Sequence, residues 1–166
     1  MNIFYLDTDL KKCAQSHCNK HVVKMVTEYA QLLSSAVRVF PNKKQGVGCA
    51  YKLAHKNHPS TIWTRESISN WRWLKKLAEQ LAIEYTFRYG KTHKAWLVIA
   101  DLPEPSIPDL GFTSFRLAMP EEFKSVCPIQ SYRDYYAGAK YLLFDYKKRL
   151  APKWLHFHSG ARMFEK

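Results

Sequence analysis

His17, His21, Lys24, Glu28 and Gln31 recur at spacings of four, three, four and three. At roughly 100° per residue, a helix carrying them sets all five within an arc of about 80°. Two imidazoles, an ammonium and a carboxylate in one strip can move protons or hold a phosphate. The strip runs along the margin of a broad apolar face made of Ala14, Cys18, Val22, Met25, Val26, Tyr29, Leu32, Leu33 and Ala36. A face of that width must meet a core, so the polar strip borders buried ground. The plain alternative is a solvated flank in which Lys24 and Glu28 form an i,i+4 ion pair.

A second cluster runs from Tyr51 through Lys52, His55, Lys56, Asn57 and His58 to Pro59 and Ser60, with Trp63 and Arg65 following. Pro59 holds His58 extended, and Ser60 is expected to cap a helix that begins at Thr61. His55, Asn57 and His58 then sit on a short loop aimed at a helix N-terminus, where backbone amides and the dipole suit a phosphate. An ordinary turn is the alternative. Loop and strip together predict one cleft, lined by Trp63 and Arg65. Cys13, Cys18, Cys49 and Cys127 are scattered without a CxxC, and reduced thiols are expected. His17 and His21 with His55 or His58 form the one metal set that helical geometry allows, and a metal-dependent nuclease would use it. The reading adopted has neither metal nor cofactor.

Composition says what such a site serves. Twenty-six Lys and Arg against fourteen Asp and Glu give a formal net charge of +12, which points to nucleic acid before an anionic membrane. Lys43, Lys44, Lys52, Lys56, Lys75, Lys76 and Lys91 are expected on loops and outer helix faces, where phosphates would meet them. No apolar run reaches the length of a membrane span, and the first residues lack the features of a signal peptide. Aromatics alternate with basic residues in Trp71-Arg72-Trp73 and in Tyr85-Thr86-Phe87-Arg88-Tyr89. These segments are either base-stacking platforms or buried helix faces with snorkelling cations.

The elements that must position the site read as mainly α. The 166 residues predict one compact domain, 1–166, of about three long helices with a long Pro-rich crossing segment. Ile3 to Leu6 is a short strand or an extended arm. Thr8 or Asp9 caps a helix that runs to about Val39, before Pro41. The second helix spans Thr61 to Tyr89 and stops at Gly90. Ala95 to Ala100 adds a short helix. Pro103, Pro105, Pro108, Pro120 and Pro128 mark the crossing, in which Leu117 to Phe123 holds one helical turn. Ser131 caps a third helix reaching about Leu150. Residues 152–166 form a flexible basic tail.

The stretch His21-Val22-Val23-Lys24-Met25-Val26-Thr27-Glu28 resembles the His and Glu placement in pyrimidine-dimer DNA glycosylases of the endonuclease V type, which are small, basic and all-helical. Glu28-Tyr29-Ala30-Gln31 is similar to the continuation in that family's bacterial members. So is the segment from Tyr51 through His55 to His58-Pro59 and Trp63. Tyr135-Tyr136 and Trp154 are fainter echoes. The resemblance implies a DNA glycosylase with abasic-site lyase activity. The lesion base is flipped from the duplex and the N-terminal α-amine attacks the sugar C1′. An imino intermediate forms, and β-elimination cuts the strand. An α-amine, with a pKa of about 8, is partly neutral at pH 7. Glu28 takes the part of the carboxylate that handles the sugar oxygen and the protons, while His21 and Lys24 hold phosphates.

The family pattern has Thr at position 2, where the initiator Met is readily removed. Asn2 is larger, so Met1 is expected to stay and carry the amine, with Lys24 as the alternative Schiff-base donor. The implied catalytic set is Met1, Asn2, His21, Lys24 and Glu28. The implied DNA contacts are His17, Gln31, Lys52, His55, Lys56, Asn57, His58, Trp63 and Arg65. The partner is DNA carrying a flipped or modified base, bound by a cytoplasmic, DNA-associated monomer without a membrane. A non-catalytic nucleic-acid-binding module on the same scaffold is the alternative.

Overall fold

The computed structural model describes residues 1–155 and is helical, with no strand among the described residues. The N-terminal segment is not a strand but an arm laid into the core, with Ile3, Phe4 and Leu6 all buried. Leu6 N–H donates to Cys13 Sγ, and the thiol donates to Phe4 O, both at 3.3 Å. Arg133 Nε donates to Leu6 O at 2.8 Å, and its Nη2 pairs with Asp7 at 3.2 Å.

Asp9 caps α1 (Leu10–Gln15) by accepting Lys12 N–H at 2.9 Å. The helix then breaks and resumes as α2 (Asn19–Val39), so the single helix expected from Thr8 or Asp9 to Val39 is two. The cause lies in long-range hydrogen bonds. An unbroken helix would join Asn19 N–H to Gln15 O. Instead Asn19 N–H donates to Asp145 O at 2.8 Å, and Gln15 O accepts Arg88 Nη2 at 3.1 Å.

The second long helix is divided in the same way. His58, not Ser60, caps α3 (Pro59–Thr64), with its Nδ1 accepting Ser60 N–H at 3.2 Å. Ser60 is buried with its hydroxyl unpartnered. Ser67 caps α4 (Ile68–Tyr89), while Asn70 Nδ2 takes the Trp63 carbonyl at 2.9 Å, near the break. Gly90, in the left-handed region at φ 69°, stops α4 where the sequence predicts. α5 covers Lys94–Ala100. The Pro-rich crossing is irregular apart from a 3₁₀ turn at Glu121–Phe123. α6 (Pro128–Ala139) begins before Ser131 and ends well before Leu150, followed by a 3₁₀ turn at Tyr141–Leu143. The expected basic tail falls largely on residues 156–166, which lie outside the described residues.

The core sits where α2 packs against α4, α5 and α3. Trp71 is buried and donates its indole N–H to Leu33 O at 3.2 Å, while Trp73 packs edge-on to Tyr5 and Trp63. Trp71 and Trp73 of the first aromatic–basic segment of α4 therefore serve the core, and in the second Tyr85 and Arg88 are buried while Phe87 is exposed. Arg88 is fully buried, with Nε 2.8 Å from Glu84 Oε1 and Nη1 3.0 Å from Asn19 Oδ1. Arg149 adds a bidentate grip on Glu84 at 2.9 Å. Together these guanidinium groups hold the Glu84 carboxyl below the usual range against the opposing effect of burial. Among the described residues no helix is long and apolar enough to cross a membrane.

Candidate active site

The arm delivers the start of the chain to the strip on α2. Asn2 Nδ2 donates to Ala118 O at 2.9 Å, and its Oδ1 accepts Ile3 N–H at 2.9 Å. With both ends of its amide engaged, Asn2 fixes the main chain so that its own N–H donates to Glu28 Oε2 at 3.1 Å. The Met1 amine stands 4.0 Å from the same oxygen. Lys24 Nζ holds the other carboxylate oxygen, Oε1, at 3.0 Å. The Lys24–Glu28 ion pair thus exists, but it occupies only one side of the carboxylate. The Glu28 side chain is 12% exposed and that of Lys24 67%, so the carboxylate faces the arm while the ammonium faces water.

His21 lies one turn earlier, stacked on Phe4 with ring centroids 4.7 Å apart and planes 19° apart. Its Nδ1 is 2.8 Å from the Tyr136 hydroxyl. Burial, then repulsion from Lys140 and Lys24, lowers its pKa to about 4 against the pull of Glu28. The ring is neutral at pH 7 and serves as a hydrogen-bond partner, not as a cation. Gln31 is half-buried one turn past Glu28.

His17 departs from the strip. It falls in the break between α1 and α2, has no exposed surface, and pairs Nδ1 with Cys13 O at 2.8 Å. Burial drives its pKa down to about 3. As a DNA contact it is corrected: a phosphate cannot reach a ring enclosed in the core. Trp63 is corrected likewise, being buried, stacked on Phe115 at 4.4 Å, and bonded through its indole to Thr113 O at 3.2 Å. Arg65 spends a guanidinium donor on Lys56 O at 2.5 Å, bracing the loop before α3.

That loop does reach the strip. Ser35 Oγ donates to Ala54 O at 3.0 Å, and Arg38 binds the carbonyls of Tyr51 and Ala50. Thr61 Oγ1 contacts Met1 Sδ at 3.9 Å, seating the first turn of α3 on the first residue. Burial lowers the His58 pKa, the N-terminal amine and His55 lower it further, and Glu28 raises it. These four groups therefore share one electrostatic neighbourhood. His55 is exposed in the left-handed region at φ 48°, and Lys52, Lys56 and Asn57 are exposed beside it. α3 has only six residues, so its dipole offers an anion less than a long helix does.

Among the described residues no three His, Cys, Asp or Glu side chains converge as a metal site requires. Burial of His17 removes one member of the metal set allowed by sequence. A cleft of about 470 Å³ between α4 and α5 is lined by Trp71, Arg72, Lys75, Lys76 and Trp96, but by none of the strip residues. Sequence reasoning missed Ala118, Lys140 and Ser35 altogether and saw Tyr136 only as an echo. Ala118 meets the arm across 116 positions and Tyr136 meets His21 across 115, and no local pattern marks either.

The site is an amine and a carboxylate at the mouth of a basic surface, with a neutral imidazole on either side. Searches of the curated proteins and of the solved structures return no match. A family model does match, described as pyrimidine dimer DNA glycosylase and covering residues 1–98, which include the arm, α2, the loop and all of α3 and α4. With more than half its length matched, and the arm–carboxylate pair inside the matched part, the chain belongs to the pyrimidine dimer DNA glycosylase family.

Proposed function

We propose that the protein excises a damaged base from DNA and cuts the strand at the resulting abasic site, using its α-amine as nucleophile and Glu28 as proton carrier. The observation that carries this reading is the α-amine 4.0 Å from Glu28 Oε2, with Asn2 N–H at 3.1 Å on the same oxygen. Glu28 accepts the ammonium proton, and the free amine attacks C1′ as the C1′–base bond breaks. The departing base takes the proton that the newly bonded nitrogen sheds. Return of the Glu28 proton to the ring oxygen opens the sugar and leaves an iminium. Removal of a C2′ proton then expels the 3′ phosphate by β-elimination, and water releases the amine.

Both possible starts of the chain suit this chemistry. The Met1 side chain is only 4% exposed and is packed against Thr61, as a site residue would be. Removal of Met1 would turn the Asn2 nitrogen, already on Glu28, into the amine. Lys24 is the weaker candidate, because its ammonium lies mostly in water and is held by Glu28. Pyrimidine dimers are the first lesion class to offer, as the family description suggests.

Borohydride reduction of the protein on duplex DNA with an abasic site tests the reading. A trapped adduct mapped by mass spectrometry to the first residue of the mature chain is the expected result. An adduct on Lys24 would transfer the nucleophile's role, and bound DNA without an adduct would leave a binding module.

A further inference from the structure

The outer face of α4 carries a stripe that the candidate active site does not use. Arg72, Lys76, Glu79, Ile83 and Phe87 recur at spacings of four, three, four and four, within an arc of about 80°, and all five are exposed. An outer helix face is normally polar, yet Ile83 is 56% and Phe87 44% exposed. α5 runs back along α4 beside this stripe, with Ala100 near Arg72, Trp96 near Glu79 and Thr92 near Phe87. The cleft of about 470 Å³ therefore continues past Glu79 and Trp96 into a second of about 450 Å³, where Ala82, Ile83 and Phe87 replace the charged lining. At ~1.5 Å per residue, the groove from Arg72 to Phe87 is about 22 Å long.

Most of its charges are already committed. Arg72 grips Glu104 at 2.7 and 2.8 Å, and Lys75 Nζ donates to Ala100 O at 3.3 Å and Leu102 O at 3.4 Å. At the far end Arg149 lies 4.3 Å over the Phe87 ring but holds Glu84. Lys148 donates to Phe87 O at 3.0 Å, with its Nζ 5.7 Å over the same ring. Lys76, Glu79 and Lys148 have no ion pair among the described residues. Along the groove they read as a cation, an anion and a cation, with Ile83 and Phe87 between the last two.

We propose that this groove docks an amphipathic helix of a second protein, apolar along one side, with a cationic residue at its middle and carboxylates toward both ends. A helix of about 15 residues fills the length. The charge order is the same read from either end, so a second copy of this chain would set like charges together in any two-fold arrangement. A nucleic-acid strand would meet Glu79 midway with its phosphates and gain little from Ile83.

The test titrates the full chain with a stapled helical peptide of about 15 residues, with leucine along one side, lysine at its middle and glutamate in its first and last turns. Amide chemical shifts should move on α4 and α5 and stay still on the α2 strip. Ile83→Asp should weaken binding about tenfold or more while borohydride trapping on abasic DNA stays at the wild-type level. Glu79→Lys should weaken it about fivefold, and a peptide with glutamate at its middle should recover the loss on that variant alone. Both side chains are exposed, so neither change disturbs the core. Absence of binding, shifts confined to the α2 strip, full affinity in Ile83→Asp, or a charge swap without recovery overturns the docking site. So does a single-stranded oligonucleotide, or a dimer of this chain, that occupies the groove and is lost with Ile83→Asp. Peptide docking without borohydride trapping sinks the lyase reading alone.

Discussion

Glu28→Gln separates a working carboxylate from a salt-bridge partner. The amide keeps an oxygen that can accept Asn2 N–H at the present 3.1 Å, so the arm stays docked. The lost partner charges are Lys24, two-thirds exposed, and the Met1 amine at 4.0 Å. Screening holds the first to under about 1 kcal/mol of stability. Removing a negative charge from a phosphate-binding face should leave affinity for abasic DNA equal or slightly higher. Turnover should fall about a hundredfold or more, roughly 2.7 kcal/mol of barrier, because Gln cannot take the ammonium proton or return it to the sugar oxygen. Glu28→Ala should differ in kind, since it strands the buried Asn2 N–H at a cost of about 1–3 kcal/mol and loosens the arm. Chemical denaturation, DNA binding and single-turnover strand cleavage on both variants give the readout. If Glu28→Gln cleaves at the wild-type rate, the carboxylate is no proton carrier and the mechanism proposed here is wrong.

Two further outcomes follow from buried charge. Glu84→Ala should cost about 3–5 kcal/mol, because Arg88, fully buried and unable to shed its proton, would keep only Asn19 and Gln15. Arg88→Met should cost less, since Glu84 retains bidentate Arg149, and urea titration finding the reverse order would refute the assignment. Stability should also fall as pH drops below about 6.5. Unfolded His17 and His21 bind protons there, whereas the native rings, with pKa values of about 3 and about 4, do not. Each contributes on the order of 3 kcal/mol, complete only above pH 6.5 and lost as the pH falls toward the folded values. Denaturation midpoints that stay flat from pH 7 to pH 5 would rule this out.

The helical class and the α2 strip were legible because they depend on period and on spacing. Glu28 could be singled out because a carboxylate beside so broad an apolar face has few reasons to be there. The breaks at residues 16–18 and 65–67 were not legible. Arg88, which claims Gln15 O, lies far outside the window from which a helix is read, and Asn70, inside that window, gives no sign in its spacing that its side chain turns back to Trp63 O. His17 kept the helical spacing yet left the helix, so an imidazole that fits the strip in sequence is enclosed in the core. His58 took the cap from Ser60 because Pro59 occupies the first helical position and leaves the imidazole in place to accept Ser60 N–H.

The departure at position 2 follows from how the arm is held. A threonine offers one short hydroxyl, whereas Asn2 offers an acceptor to Ile3 N–H and a donor to Ala118 O at once. The hydrogen bond to Ala118 ties the first residues to the crossing segment, while Arg133 ties Leu6 and Asp7 to α6. Neither Ala118 nor Arg133 lies within the matched residues 1–98. The groups proposed to carry the chemistry thus come from the matched part of the chain, and the part beyond it adds fasteners to the arm that bears them. A larger residue at position 2 is therefore compatible with the amine's place beside Glu28, because its side chain is the fastener that keeps the amine there.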